Sequence, residues 1–305
     1  MRKFIILFYS IFIFMNIDAQ QLPRFTQSFG VANFQNPALT GSIGQSRIQS
    51  TYRNHWPKLF NGLKTFYLGF ELVNGKLPFD IGVYQMYNDI QNGIENNYYG
   101  GLCLSRSFKL NESLSFKVGL SGCYTSRSIS ANLISINPIP STSRNYGSGL
   151  LLGGGFTISG NYFLLGYSAL AINQPVIYIG NIYNVKYNIS HSLQAAIRYP
   201  LFDKEDLRGP YLTVQILKSS KTLITSGLIY RFQNFKLGFA YRHDNSCVGS
   251  LGFIRKNLNL TYSYDYFTSK PGNSIFGGSH EIALSYIFGK ENLKRPSNKW
   301  ISSLF

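Results

Sequence analysis

The sequence predicts a transmembrane antiparallel β-barrel of about fourteen strands, exported behind a cleaved signal peptide. Three observations predict it. Many segments alternate with period two between apolar or aromatic residues and small or polar ones, the N-terminus reads as an export signal, and aromatics are abundant while charge is scarce.

The alternation is clearest from Leu258 to Tyr266, where leucines and tyrosines occupy one parity and Asn259, Thr261, Ser263 and Asp265 the other. Leu114–Ser121, Phe235–Tyr241 and Phe66–Leu72 repeat it. Successive strand side chains point to opposite faces, so each segment has one greasy face and one small or polar face. A soluble sandwich also alternates. Here the apolar parity is rich in Tyr and Phe and the polar parity in Gly, Ser, Thr and Asn, as expected for lipid outside and a polar lumen inside.

At the N-terminus, Arg2 and Lys3 precede an apolar run from Phe4 to Phe14, and Ala19 stands before Gln20 as the small residue at the cut. This pattern describes a signal peptide over 1–19; the run is too short to span a bilayer. No later stretch reads as a membrane-spanning helix, so strands must do the crossing. Aromatics make up 16% of the chain, with Tyr 22 and Phe 24 against Trp 2, and charged residues only 14%, below the share usual in soluble domains. The net charge of +16 is carried by basic residues scattered singly along strands and turns. That scatter favours contact with outer-membrane lipid and lipopolysaccharide headgroups over nucleic acid.

Alternation and turn residues place strands at 47–53, 65–73, 79–87, 97–108, 113–128, 148–158, 161–170, 190–199, 211–217, 222–232, 235–243, 247–255, 258–267 and 280–289. Short turns near Asn74-Gly75, Asn111, Gly160-Asn161, Gln233-Asn234 and Lys256-Asn257 belong to one side. Longer connections at 54–64, 129–147, 171–189 and 268–279 belong to the other, which loop length makes the outer one. The 200–210 connection is long on the short side, and 218–221 and 244–246 are short on the long side. The chain divides into a signal peptide (1–19), a lead-in (20–46) read as a plug or a periplasmic segment, the barrel (47–289), and a basic tail (290–305) read as a solvated end in preference to a docking element.

Few residues suggest chemistry. His55, His191, His243 and His280 have no metal-ligand spacing, and Ser190 and Ser192 lie on the face opposite His191. Gly153-Gly154-Gly155 falls within a strand with no Lys-Ser/Thr after it, so it is not a phosphate loop. Cys123 falls opposite about Tyr98, which leaves a hairpin disulfide with Cys103 out of register, and an odd cysteine count leaves at least one thiol free. No cofactor, metal or catalytic residue is expected. One constellation does emerge. Closing the barrel pairs the first and last strands, bringing Arg53 to Glu281 on the lumen face, with Asp265 on the preceding strand. Such a cluster would pin the seam from inside.

Several short motifs carry a family resemblance: Pro23-Arg24-Phe25-Thr26-Gln27, Asn36-Pro37-Ala38-Leu39-Thr40-Gly41, Tyr52-Arg53-Asn54-His55-Trp56-Pro57, Ser263-Tyr264-Asp265-Tyr266 and Gly278-Ser279-His280-Glu281-Ile282. In this order the chain resembles the PorP/SprF family of type IX secretion system outer-membrane proteins of Bacteroidota, over nearly the whole mature length. His55 departs from the expected Gln, and the tail lacks a family ending. The resemblance implies a non-enzymatic outer-membrane barrel. It would work with the type IX machinery in secreting or anchoring cargo proteins such as adhesins, with gliding motility among the associated processes. Its aromatic-proline motif, matched by Trp56-Pro57, falls on the first outer loop, and Tyr52, Asn54, Trp56 and Pro57 are the candidate partner contacts. The competing reading is a porin or small-solute channel, which usually carries a long inward loop and opposing rings of lumenal charge. No connection is long enough by eye to supply that loop. A barrel lipase or protease is the third reading.

Overall fold

The computed structural model describes residues 22–59, 62–130, 144–180, 183–200, 207–219, 221–268, 275–289 and 299–304. The signal peptide at 1–19 and most of the 290–305 tail lie outside them.

The first strands are β1 (Ser46–His55), β2 (Leu63–Leu72), β3 (Asp80–Ile90), β4 (Glu95–Lys109), β5 (Leu114–Ser130), β6 (Arg144–Gly160) and β7 (Phe163–Leu170). A short hairpin follows, β8 (Val176–Ile179) and β9 (Tyr183–Lys186). Then come β10 (Ser190–Arg198), β11 (Gly209–Lys218), β12 (Thr222–Phe232), β13 (Phe235–Arg242), β14 (Ser246–Arg255), β15 (Leu258–Phe267) and β16 (Ser279–Phe288). Fourteen of them, all but β8 and β9, close into one antiparallel barrel in which β16 pairs with β1. Each barrel strand corresponds to one expected from alternation, with ends shifted by a few residues.

Burial along the strands is inverted relative to a soluble protein. On β15, Asn259, Thr261, Ser263 and Asp265 are buried, whereas Leu260 is 43% exposed and Tyr262 42%. The same holds on β1 and β16, where Ile48, Tyr52, Ile282, Leu284 and Tyr286 face outward. Exposed apolar side chains recur around the whole barrel, far beyond the few hundred Å² that a soluble monomer leaves bare, so this belt is the lipid-facing surface. Between β4 and β6 the wall is taller. Residues of β6 before Gly153 stand beyond the end of β7, which pairs only with Gly153–Ser159.

The lumen is occupied. The lead-in runs inside the barrel as a plug of three single turns: a 3-10 turn at Ser28–Val31, a helical turn at Ala32–Gln35 and a 3-10 turn at Pro37–Leu39. Asn36 is extended, as a residue before proline should be, and its Oδ1 accepts from Ala38 N at 3.0 Å. The Asn36–Gly41 motif is therefore an elbow. Lumenal hydroxyls hold it: Ser105 Oγ donates to Thr40 O at 2.8 Å and Ser168 Oγ to Gln35 O at 2.7 Å. Strand glycines make room for it. A Cβ at Gly119 would sit 2.4 Å from Ala38 N, and one at Gly155 would sit 2.4 Å from Asn36 Oδ1.

Three expectations need correction. The 171–189 connection is not a plain outer loop, because β8–β9 folds inward. Ile177, Ile179, Val185 and Tyr187 are buried against Tyr99, Cys123 and Leu151 of the wall and against Val31 and Phe34 of the plug. The four-residue strands of this hairpin are too short to display a period along the sequence. The tail is not a solvated end over its described part. Lys299–Ser303 forms a 3-10 turn whose Trp300 and Ile301 are buried, with Trp300 Nε1 donating to Gly160 O at 3.0 Å. Burying that large aromatic outweighs the tail's polar composition. Finally, Cys123 lies opposite Gly101, and Cys103 opposite Ser121, because the turn after β4 is centred one to two residues later in the chain than the short turn near Asn111 implies; all three cysteines are free.

Candidate functional site

The chemistry of the lumen concentrates near the long-loop end of the β1–β16 seam. Strand register places Arg53 directly across from Glu281, and Ser263 across from Glu281 on the other side. Parity sends Arg53, Asp265 and Glu281 inward, where each is almost wholly buried. Arg53 Nη1 lies 2.9 Å from Glu281 Oε2, and Arg53 Nη2 lies 2.8 Å from Asp265 Oδ2. The three residues expected to cluster are thus brought together.

Alternation alone missed what they hold. Thr26 N and Gln27 N, on the plug, both donate to the Glu281 carboxylate at 2.7 Å. Thr26 Oγ1 donates to Asp265 Oδ1 at 2.8 Å and accepts from Arg53 Nη1. Arg242 on β13 adds a second cation, with Nη1 3.0 Å from Asp265 Oδ2. The inward parity of β13 would have exposed Arg242 to a sequence search. Thr26 and Gln27 carried no signal, because the lead-in has no periodicity. Charge-assisted bonds of this kind are the strong ones, and with every carboxylate oxygen engaged the ions are compensated despite their burial.

A second acidic bracket secures the other end of the plug. Glu71 Oε2 accepts from Gly41 N at 2.8 Å, while its Oε1 accepts from Arg47 Nη2 at 2.5 Å and Gln49 Nε2 at 2.9 Å. Gly41 adopts φ +68° there, a conformation that suits glycine. Lys117 and Asp80 pair at 2.8 Å beside it.

Above the seam cluster a cavity of about 200 Å³ opens at the long-loop end. Its wall includes Arg24, His55, Trp56, Arg127, Arg242 and Phe267. Arg127 pairs with Glu95 at 2.5 Å. Trp56 stands at φ 57°, stacked on His55 with centroids 4.2 Å apart and packed on Phe276 at 5.3 Å. Burial, and after it the neighbouring Arg242 guanidinium, lowers the pKa of Arg24 from its ordinary value. Of the four candidate partner contacts, only Trp56 lines this vestibule. Tyr52 points outward and is 43% exposed, level with Ile282 and Phe66. Asn54 shares that outward parity, and Pro57 is half-buried beyond the rim.

Among the described residues, no group of three or more His, Cys, Asp or Glu is placed to hold a metal. His191 Nδ1 meets the Tyr167 hydroxyl at 2.8 Å, whereas Ser192 is buried on the other face.

The family model described as type IX secretion system membrane protein PorP/SprF matches residues 17–286. None of the curated proteins compared with the chain matches it. Among solved structures, the Ralstonia pickettii toluene transporter TbuX shares 10% identity at a TM-score of 0.48, covering 85% of this chain and 93% of its own. A Pseudomonas aeruginosa FadL homologue shares 13% identity at a TM-score of 0.49, covering 88% and 99%. The Acinetobacter baumannii outer membrane protein Omp33 shares 10% identity at 0.46, covering 82% and 100%.

Proposed function

The chain belongs to the PorP/SprF family of type IX secretion system membrane proteins, as a barrel of the outer membrane, and from that premise we propose that it assists the secretion or surface anchoring of cargo proteins such as adhesins, without catalysis. The observation that carries this reading is an occupied lumen beneath an open vestibule. Plug, inward hairpin and C-terminal turn fill the interior from both ends. A filled lumen favours a role exercised at the mouth over passage of solute through the middle, which weighs against the porin reading.

The Arg53–Asp265–Glu281 cluster then has a structural role. It pins the closing seam and fixes the plug, so that Leu22–Arg24 form one side of the vestibule. Trp56 is the contact offered to arriving cargo. Lipid covers the outward aromatic belt, and lipopolysaccharide headgroups meet exposed cations such as Lys58 and Lys221 at the long-loop end.

Replacing Trp56 with Ala tests the reading. Cargo display on cells should fall while barrel level and heat-modifiability in gels stay normal. Lost assembly would instead make Trp56 a folding residue and sink its assignment as a contact. Pull-down of the tagged protein from gently solubilised outer membrane should recover type IX components together with a large surface protein.

A further inference from the structure

The vestibule has polar groups with nothing to bond. Trp56 Nε1, Arg127 Nε and Asn97 Oδ1 are buried and have no hydrogen-bond partner among the described residues. Asn97 is itself only 4% exposed, and its Nδ2 is committed to Glu95 Oε1 at 2.9 Å. Arg24, half-buried in the same wall, makes no hydrogen bond to a described residue, and its neighbouring charges are Arg242, which repels it, and the partly exposed Asp244. The carboxylates below are already in use: Asp265 serves Arg53, Arg242 and Thr26, and Glu95 serves Arg127 and Asn97. Unfilled capacity in the cavity is therefore mainly donor capacity, with one lone acceptor. Buried polar groups ordinarily find partners, so this set, converging on one cavity, is available to a ligand.

We propose that the vestibule receives a carboxylate carried by an extended polypeptide, its oxygens held by Arg24, Arg127 Nε and Trp56 Nε1. The planar guanidinium fork of Arg24 suits a two-oxygen anion, and a carboxylate beside it would also relieve its repulsion from Arg242. A peptide fits the remaining features better than inorganic phosphate does. Its N–H can satisfy Asn97 Oδ1, and an adjoining apolar side chain, which phosphate lacks, meets Leu22, Leu63, Ile90, Leu223 and Phe267. The cavity volume of about 200 Å³ admits the end of a chain or one acidic side chain, not a folded element. This deepens the cargo reading and rests on it only for the identity of the peptide's owner.

The test uses the purified full-length barrel in detergent. Trp300 is replaced by Phe so that Trp56 emission alone reports binding, since the chain has Trp 2 in all. The probe is a short Gly-Ser-rich peptide ending in Leu-Phe with a free carboxylate, compared with its C-terminal amide and with sodium phosphate. The acid should bind about tenfold or more tighter than the amide, the scale of a charge-assisted pair. Arg24→Gln should erase that preference while heat-modifiability is kept, because Arg24 bonds no described residue, and Arg24→Lys should restore part of it. Equal binding of acid and amide, no binding of either, or phosphate competing as well as the peptide would each overturn the proposal. Because this binding is read without the secretion machinery, it is separable from cargo display. Loss of display in Trp56→Ala cells with peptide binding absent in vitro would keep the cargo reading and discard this one.

Discussion

Replacing Glu281 with Gln asks what the buried cluster holds. The carboxylate accepts from Thr26 N and Gln27 N, both at 2.7 Å, and from Arg53 Nη1 at 2.9 Å. A glutamine amide offers one oxygen and one NH2, so in either orientation one plug N–H faces another donor. Leaving that group unpaired costs about 1–3 kcal/mol, and weakening the Arg53 contact adds to it. The total should be about 3 kcal/mol, the low end for breaking a buried pair, because Asp265 still holds Arg53. At about 1.4 kcal/mol per factor of ten, local opening of the plug becomes roughly a hundredfold more frequent. Hydrogen exchange followed by mass spectrometry on the purified barrel reads this directly. Peptides from residues 22–44 should exchange faster, while peptides from β1 and β16 stay protected by their ladder. Unchanged exchange in 22–44 would refute the argument that Glu281 anchors the plug. Equal loss of protection in β1 and β16 would mean that its main work is at the seam.

Gly119→Val should push its Cβ into the backbone of Pro37 and Ala38 and destabilise by about 2–3 kcal/mol, whereas Gly122→Ala, with nothing within 4 Å, should be silent; melting followed by heat-modifiability separates them. Cys103 and Cys123 are buried against the plug and hairpin, so N-ethylmaleimide should leave both unlabelled until the barrel is unfolded in hot detergent, and labelling of Cys103 in the folded barrel would contradict the packed lumen. In planar bilayers the intact barrel should show no sustained conductance, and deletion of residues 22–44 should open one; a steady open channel from the intact protein would revive the porin reading.

Period-two patterning was enough to place every barrel strand, because lipid on one face and a polar interior on the other act on each residue independently of its distant neighbours. Leu260 and Thr261 declare their faces by themselves. The same logic brought Arg53, Asp265 and Glu281 to one spot, since parity and strand order are both readable along the chain, and it would have added Arg242. Trp56 was legible only through a motif, and of the other partner contacts that motif suggested, Tyr52 faces lipid and neither Asn54 nor Pro57 lines the vestibule. The plug, the inward hairpin and the buried C-terminal turn were not legible, and the reason is physical. Residues 22–44 form isolated turns held by contacts scattered over most of the sheet, from Glu71 and Gly119 to Ser168 and Glu281, with no repeat for a period to reveal. What the vestibule presents follows from that packing. The sequence by itself determined a polar-lined barrel with charge at its seam; only the tertiary structure decided that the lumen is filled and that Arg24, Trp56, Asn97 and Arg127 face one another across its mouth.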